Sequence, residues 1–189
     1  MILIIVATYF EAKPFLEKYF PNTKLSIGNY IKIKQNVELL ITGIGKNFER
    51  SLSQIDISKV TAVINIGLAG SLDTVLKRGE IFKIEQVFEN KKSLSYKLYE
   101  YSFPAKFNCA ELETHKFPHL FRTKITKNRL VDMEGFFIVK KFTGVPITIV
   151  KVLSDYCSLL SLMISLLFYR EKIKNSLLET FEMVVENCK

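Results

Sequence analysis

The chain is poor in the residues on which metal and nucleophile chemistry most often rests. It has two histidines, His115 and His119, in 189 residues. Their spacing would suit a pair on one helical face, but Pro118 lies between them and no carboxylate ligand accompanies them, so no metal site is expected. A serine or cysteine triad needs a base beside its nucleophile, and so few histidines leave little to build one from. The three cysteines, Cys109, Cys157 and Cys188, are odd in number and widely spaced. They make neither a zinc pattern nor a disulfide framework, which fits a reducing cytoplasm.

No apolar run reaches the roughly 20 residues of a bilayer span. The most apolar stretch, residues 158–169, reads as a buried or subunit-interface helix, and no membrane partner is expected. The opening MILIIV has no basic residue before it and is too short for a signal peptide. There is no repeat, linker or low-complexity segment, so one domain over residues 1–189 is expected. Net charge is +8, with lysine and arginine spread along the chain and not gathered in a tail. That pattern reads as a solvated basic surface and not as a nucleic-acid-binding one. A content of 48% hydrophobic and 24% charged residues belongs to a folded domain with a sizeable core and argues against disorder.

What is present is organised around residues 130–155, LVDMEGFFIVKKFTGVPITIVKVLSD. Asp132 and Glu134 stand at the start of an apolar helix, where negative charge is favoured. Gly144 and Pro146 stop that helix. Residues 147–153 are β-branched and apolar apart from Lys151, and read as a buried parallel strand that ends on Ser154-Asp155. A strand–helix–strand unit brings Glu134 and Asp155 to one sheet edge, the edge where open α/β sheets bind ligands. A carboxylate directly after a buried strand serves chemistry or caps the next helix, and both readings of Asp155 stand on this stretch alone.

Earlier segments point to the same edge. Residues 2–8 form an apolar first strand that leads into YFEAKP and a helix to residue 20, with Glu11 near the helix start. Residues 30–34 and 37–42 read as a hairpin turning at Gln35-Asn36. TGIGK (42–46) comes next, then a polar helix to about residue 54. A buried strand over residues 60–66 ends in GLAGSL, small residues that allow close approach of a ligand or helix. More exposed strands are expected over 80–88, 93–101 and 107–114. Beyond Asp155 the chain reads as helical, with a polar bend at 169–172. The class is α/β.

With these residues placed, the sequence resembles the nucleoside phosphorylase and nucleosidase superfamily, which includes methylthioadenosine/S-adenosylhomocysteine nucleosidases and futalosine hydrolases. The matching pieces are ATYFEAKPFLE (7–17), TGIGK (42–46), INIGLAGSL (64–72), VDMEG (131–135) and VLSD (152–155). The resemblance implies a twisted mixed central sheet flanked by helices, a homodimer and no cofactor. It implies that Glu134, with the backbone of Met133, binds the ribose hydroxyls. Asp155 would protonate the imidazole-ring nitrogen of a purine, steered by Ser154. Ala69 and Gly70 would line base and sugar, and Phe117, followed by Pro118, would stack on the base.

Phosphorylases of this superfamily hold phosphate with arginines at two places that here carry Glu11 and Asn65. A carboxylate repels phosphate but orients and deprotonates water, so the resemblance and the charge together imply an N-glycosidic bond hydrolase in purine nucleoside catabolism. Its substrate would be methylthioadenosine, adenosylhomocysteine or futalosine-like. Lys13, Lys46 and Arg50 keep a phosphate-dependent phosphorylase open as the alternative. Leu68 stands where relatives carry a small or hydroxyl residue, and Thr114 and His115 where an acidic one is familiar. The region over 89–128 is short. These departures keep a catalytically silent nucleoside-binding protein in view.

Overall fold

Residues 2–6 are Ile, Leu, Ile, Ile and Val, which leave no face for water, and they form β1 (Ile2–Val6), buried throughout. In the computed structural model, residues 1–23, 26–71, 73–89, 92–94, 107–115 and 129–188 are described. Thr8 caps α1 (Tyr9–Tyr19), and β2 (Tyr30–Lys34) and β3 (Val37–Ile41) form the expected antiparallel hairpin. Gly43 and Gly45, at φ +77° and +55°, turn the chain into α2 (Lys46–Ser53). The later elements are β4 (Ala62–Ser71), β5 (Ile81–Glu89), β6 (Lys92–Leu94), β7 (Asn108–Thr114), β8 (Arg129–Asp132), α3 (Gly135–Lys141), β9 (Ile147–Asp155), α4 (Leu159–Phe168) and α5 (Arg170–Asn187).

The sheet is mixed, as expected. β1 lies between β3 and β4 and is parallel to both. β4 then has β9 parallel beside it, while its last residues, Gly70 and Ser71, pair antiparallel with β8. β8 is parallel to β7, β7 to β5, and β5 closes antiparallel on β9. Five strands therefore form a ring, with β3 and β2 extending from β1 as an open wing. Alternate residues of β1 supply two cores. Leu3 and Ile5 face Phe48 of α2 and Phe136 of α3, whereas Ile4 and Val6 face Phe15 of α1 and Phe181 of α5, whose rings stack at 5.1 Å.

Two expectations change, and a third falls partly outside the described residues. The small residues at 67–71 do not form a loop after the fourth strand; they continue it, because β9 and β8 pair with them to Ser71. β6 coincides with the first residues of the strand expected over 93–101, and 95–101 lie outside the described residues. The apolar helix α4 is not buried within this chain: Leu159, Leu160, Met163, Leu166, Leu167 and Phe168 all face outward. No helix among the described residues is long and apolar enough to cross a membrane.

Candidate active site

Glu11, Ala69, Gly70, Met133, Glu134, Ser154 and Asp155 line one cleft of about 400 Å³ at the end of β1, β4, β8 and β9. Phe117 and Pro118 lie outside the described residues. A larger cavity of about 590 Å³ between α2 and α3 shares Met133 with the cleft, but it is walled by Phe48, Leu52 and Phe137, and none of the three predicted acids reaches it. All three line the smaller cleft.

Glu11 is the third residue of α1 and closes a capping box. Its Oε2 accepts from the Thr8 N–H at 2.7 Å and from the Thr8 hydroxyl at 3.0 Å. Its Oε1 accepts from the Leu68 N–H at 2.8 Å, which ties the start of α1 to β4. Glu11 therefore caps the helix start and, buried, also lines the cleft. Gly67 makes this possible: a Cβ there would stand 2.8 Å from Glu11 Oε1 and 3.3 Å from Lys151 Nζ. Both side chains reach over the glycine.

Asp155 is aimed by a bulge. Leu153 pairs with Ala69 and Asp155 with Gly70, so Ser154 is the extra residue that redirects the end of the strand. Asp155 Oδ1 accepts from the Cys157 N–H at 2.8 Å, and Oδ2 lies 2.7 Å from Ser154 Oγ, which is 3.1 Å from the Ala69 carbonyl. The serine serves either protonation state. It donates to an ionised Asp155, or accepts from a protonated one while donating to Ala69. Cys157 holds its turn at φ 50°, and a Cβ on Gly70 would meet its Sγ at 2.7 Å, so the strand here needs glycine.

Two residues that the sequence pattern did not mark as functional, Asp132 in the cleft lining and Lys151 behind it, form a buried ion pair. Lys151 is only 1% exposed, and its Nζ lies 2.8 Å from Asp132 Oδ2. Asp132 also accepts from the Thr114 hydroxyl at 2.7 Å and the Gly135 N–H at 2.9 Å. The signal was present, since one lysine in an otherwise apolar buried strand demands a partner. Thr114 belongs to this network, and its hydroxyl also accepts from the Phe136 N–H at 2.9 Å. Burial lowers the Lys151 pKa, but Asp132, Glu134 and Glu11 outweigh it and hold the ammonium above its ordinary value. Glu134, the residue before α3, is pushed up to about 8 by burial and then by Asp132, with Lys151 pulling the other way. The cluster therefore favours one proton on Glu134 near neutrality.

The fold is that of the nucleoside phosphorylase and nucleosidase superfamily. The sequence matches no family model and no curated protein. Among solved structures, it is similar to a Chlamydia trachomatis MTAN bound to adenine, with a TM-score of 0.76 and 25% identity over 98% of this chain and 97% of that one. A futalosine hydrolase mutant of Helicobacter pylori gives 0.73 and 21%, covering 98% of each chain. A putative 5′-methylthioadenosine/S-adenosylhomocysteine nucleosidase from Francisella philomiragia gives 0.72 and 17%, covering 97% of each. The shared fold extends along almost the whole chain.

Proposed function

We propose that the protein is a purine nucleoside N-ribohydrolase. The observation that carries this reading is the meeting of Glu11, Glu134 and Asp155 in one cleft from three distant parts of the sequence. Glu134 and the Met133 backbone hold the ribose hydroxyls. Asp155 gives its proton to the imidazole-ring nitrogen as the C1′–N bond breaks and its electron pair leaves with the base. Water attacks C1′, and Glu11 orients it and takes its proton.

Charge favours water over phosphate. Among the described residues no arginine or lysine lines the cleft, and its acids would repel a dianion. Lys151 is engaged by Asp132, Lys13 pairs with Glu17, and Lys46 lines the neighbouring cavity. Asn65 is buried and donates to the Ile5 carbonyl. The test is release of free base from methylthioadenosine, adenosylhomocysteine, adenosine, inosine and futalosine-type nucleosides, with and without phosphate. Free ribose products without phosphate are expected. Ribose 1-phosphate formed only with phosphate would make it a phosphorylase, and tight binding without turnover a binding protein.

The reading extends to a homodimer in the cytoplasm. Three cysteines that form no disulfide suit a reducing compartment. The outward apolar face of α4, with Leu160 69% and Leu167 71% exposed, is large enough to call for a cover, and a second copy related by two-fold symmetry supplies a matching one. Light scattering should give twice the mass of the 21.8 kDa chain, and Leu160→Glu with Leu167→Glu should halve it. A wild-type monomer at micromolar concentration would remove this part of the reading.

A further inference from the structure

The helix beyond Asp155 is attached to its own fold in an unusual way. The buried residues of α4 are two serines, Ser161 and Ser165, and its large apolar residues point outward, apart from Leu162, which lines the cleft, and the half-buried Ile164. With so little apolar packing inward, the position of α4 over Asp155 depends on polar contacts. These converge on Arg78, in the turn before β5. Its Nε donates to Ser165 Oγ at 2.8 Å and its Nη2 to Ser161 Oγ at 2.8 Å.

The same guanidinium lies between two rings, 4.4 Å from the Tyr156 centroid and 4.8 Å from that of Tyr169. Tyr156 directly follows Asp155, and Tyr169 ends α4, so one side chain grips both ends of the segment. The serines pass the grip on to the acid. Ser165 Oγ reaches the Ser154 carbonyl at 2.5 Å, and Ser161 Oγ accepts from the Tyr156 N–H at 2.8 Å. Ser154 and Tyr156 are the two neighbours of Asp155. The Tyr156 hydroxyl, in turn, donates to the Leu76 carbonyl at 2.7 Å, which returns the segment to the turn that carries Arg78. Among the described residues Arg78 forms no ion pair, so this latch accounts for its contacts.

We propose that Arg78 is a positioning residue that latches the segment 154–169 and thereby aims the Asp155 carboxyl and the Leu162 wall at the substrate. The effect on turnover rests on the reading of Asp155 as the acid; the latch does not. Arg78→Gln should lower kcat about ten- to a hundredfold through misplacement of the acid, with a smaller change in KM. Added guanidinium ion should restore part of that loss, and Arg78→Lys should behave like Gln because it offers neither the fork nor the planar stack. Hydrogen exchange of the α4 amides should speed at least tenfold in Arg78→Gln, and in Ser161→Ala as a second variant, while exchange in β1 and β4 stays unchanged.

Unchanged α4 exchange in both variants overturns the proposal, as does a kcat loss that guanidinium leaves untouched. Faster α4 exchange in a protein that turns over no nucleoside would support the latch and sink only the hydrolase reading.

Discussion

Replacing Asp155 with asparagine should cut base release by about 10²–10⁴-fold, the usual contribution of a positioned general acid. The substitution suits the purpose because the geometry survives it. An amide oxygen still accepts the Cys157 N–H, and the amide nitrogen can donate to Ser154 Oγ, which turns its own proton to the Ala69 carbonyl. What is lost is a proton that can be given away. KM should therefore change little and kcat a great deal. A ribosyl substrate whose leaving group departs without protonation should lose far less, which separates acid catalysis from a damaged site. Full activity of the asparagine variant on purine nucleosides would end the assignment of Asp155.

Lys151→Met should destabilise the fold by about 3–5 kcal/mol, the usual result of removing one partner from a buried ion pair. Asp132, Glu134 and Glu11 would then face one another with no cation among them, although methionine fills much of the lysine's volume. The pH dependence has a definite sign. Glu134 titrates near 8 in the folded chain, well above an ordinary glutamate, so its contribution is fully present below the ordinary carboxylate range and is lost as pH rises through about 8. Wild-type stability should fall between about pH 5 and pH 8 on this account. Lys151, held above its ordinary value, keeps its contribution until the solution becomes strongly alkaline. Without it the carboxylates are relieved only by protonation, and the variant's deficit should be larger at pH 8 than at pH 5. Urea melts at the two pH values read this directly. A variant as stable as wild type, or a deficit that grows on acidification, would contradict the account of the cluster.

Much of the cleft was legible because carboxylates at strand ends leave local marks. Asp155 follows a β-branched run, Glu134 precedes a helix, and glycines stand at 67 and 70 where Cβ atoms would collide with Glu11, Lys151, Asp155 and Cys157. The strand periodicities located β1, the hairpin, β5 and β9 to within a residue or two. The end of β4 was misjudged because small residues weaken a strand signal even when two neighbours pair with them. Lys151 was noticed in its strand, but its role required a partner, and Asp132 is contributed by another strand. Arg78 was not legible at all. Nothing local distinguishes an arginine in a Lys-Arg-Gly turn from one in solvent.

The sequence by itself determined the α/β class, the order of most elements and the identity of the acids, since each depends on side-chain period, turn chemistry and charge within a few positions. Only the tertiary structure decided which charges neighbour one another. The bulge at Ser154, the ring of strands that sets Lys151 against Asp132, and the grip of Arg78 on α4 all arise from pairings between distant segments. Those pairings, through burial and Coulomb interaction, set the protonation of the groups that the sequence could only name.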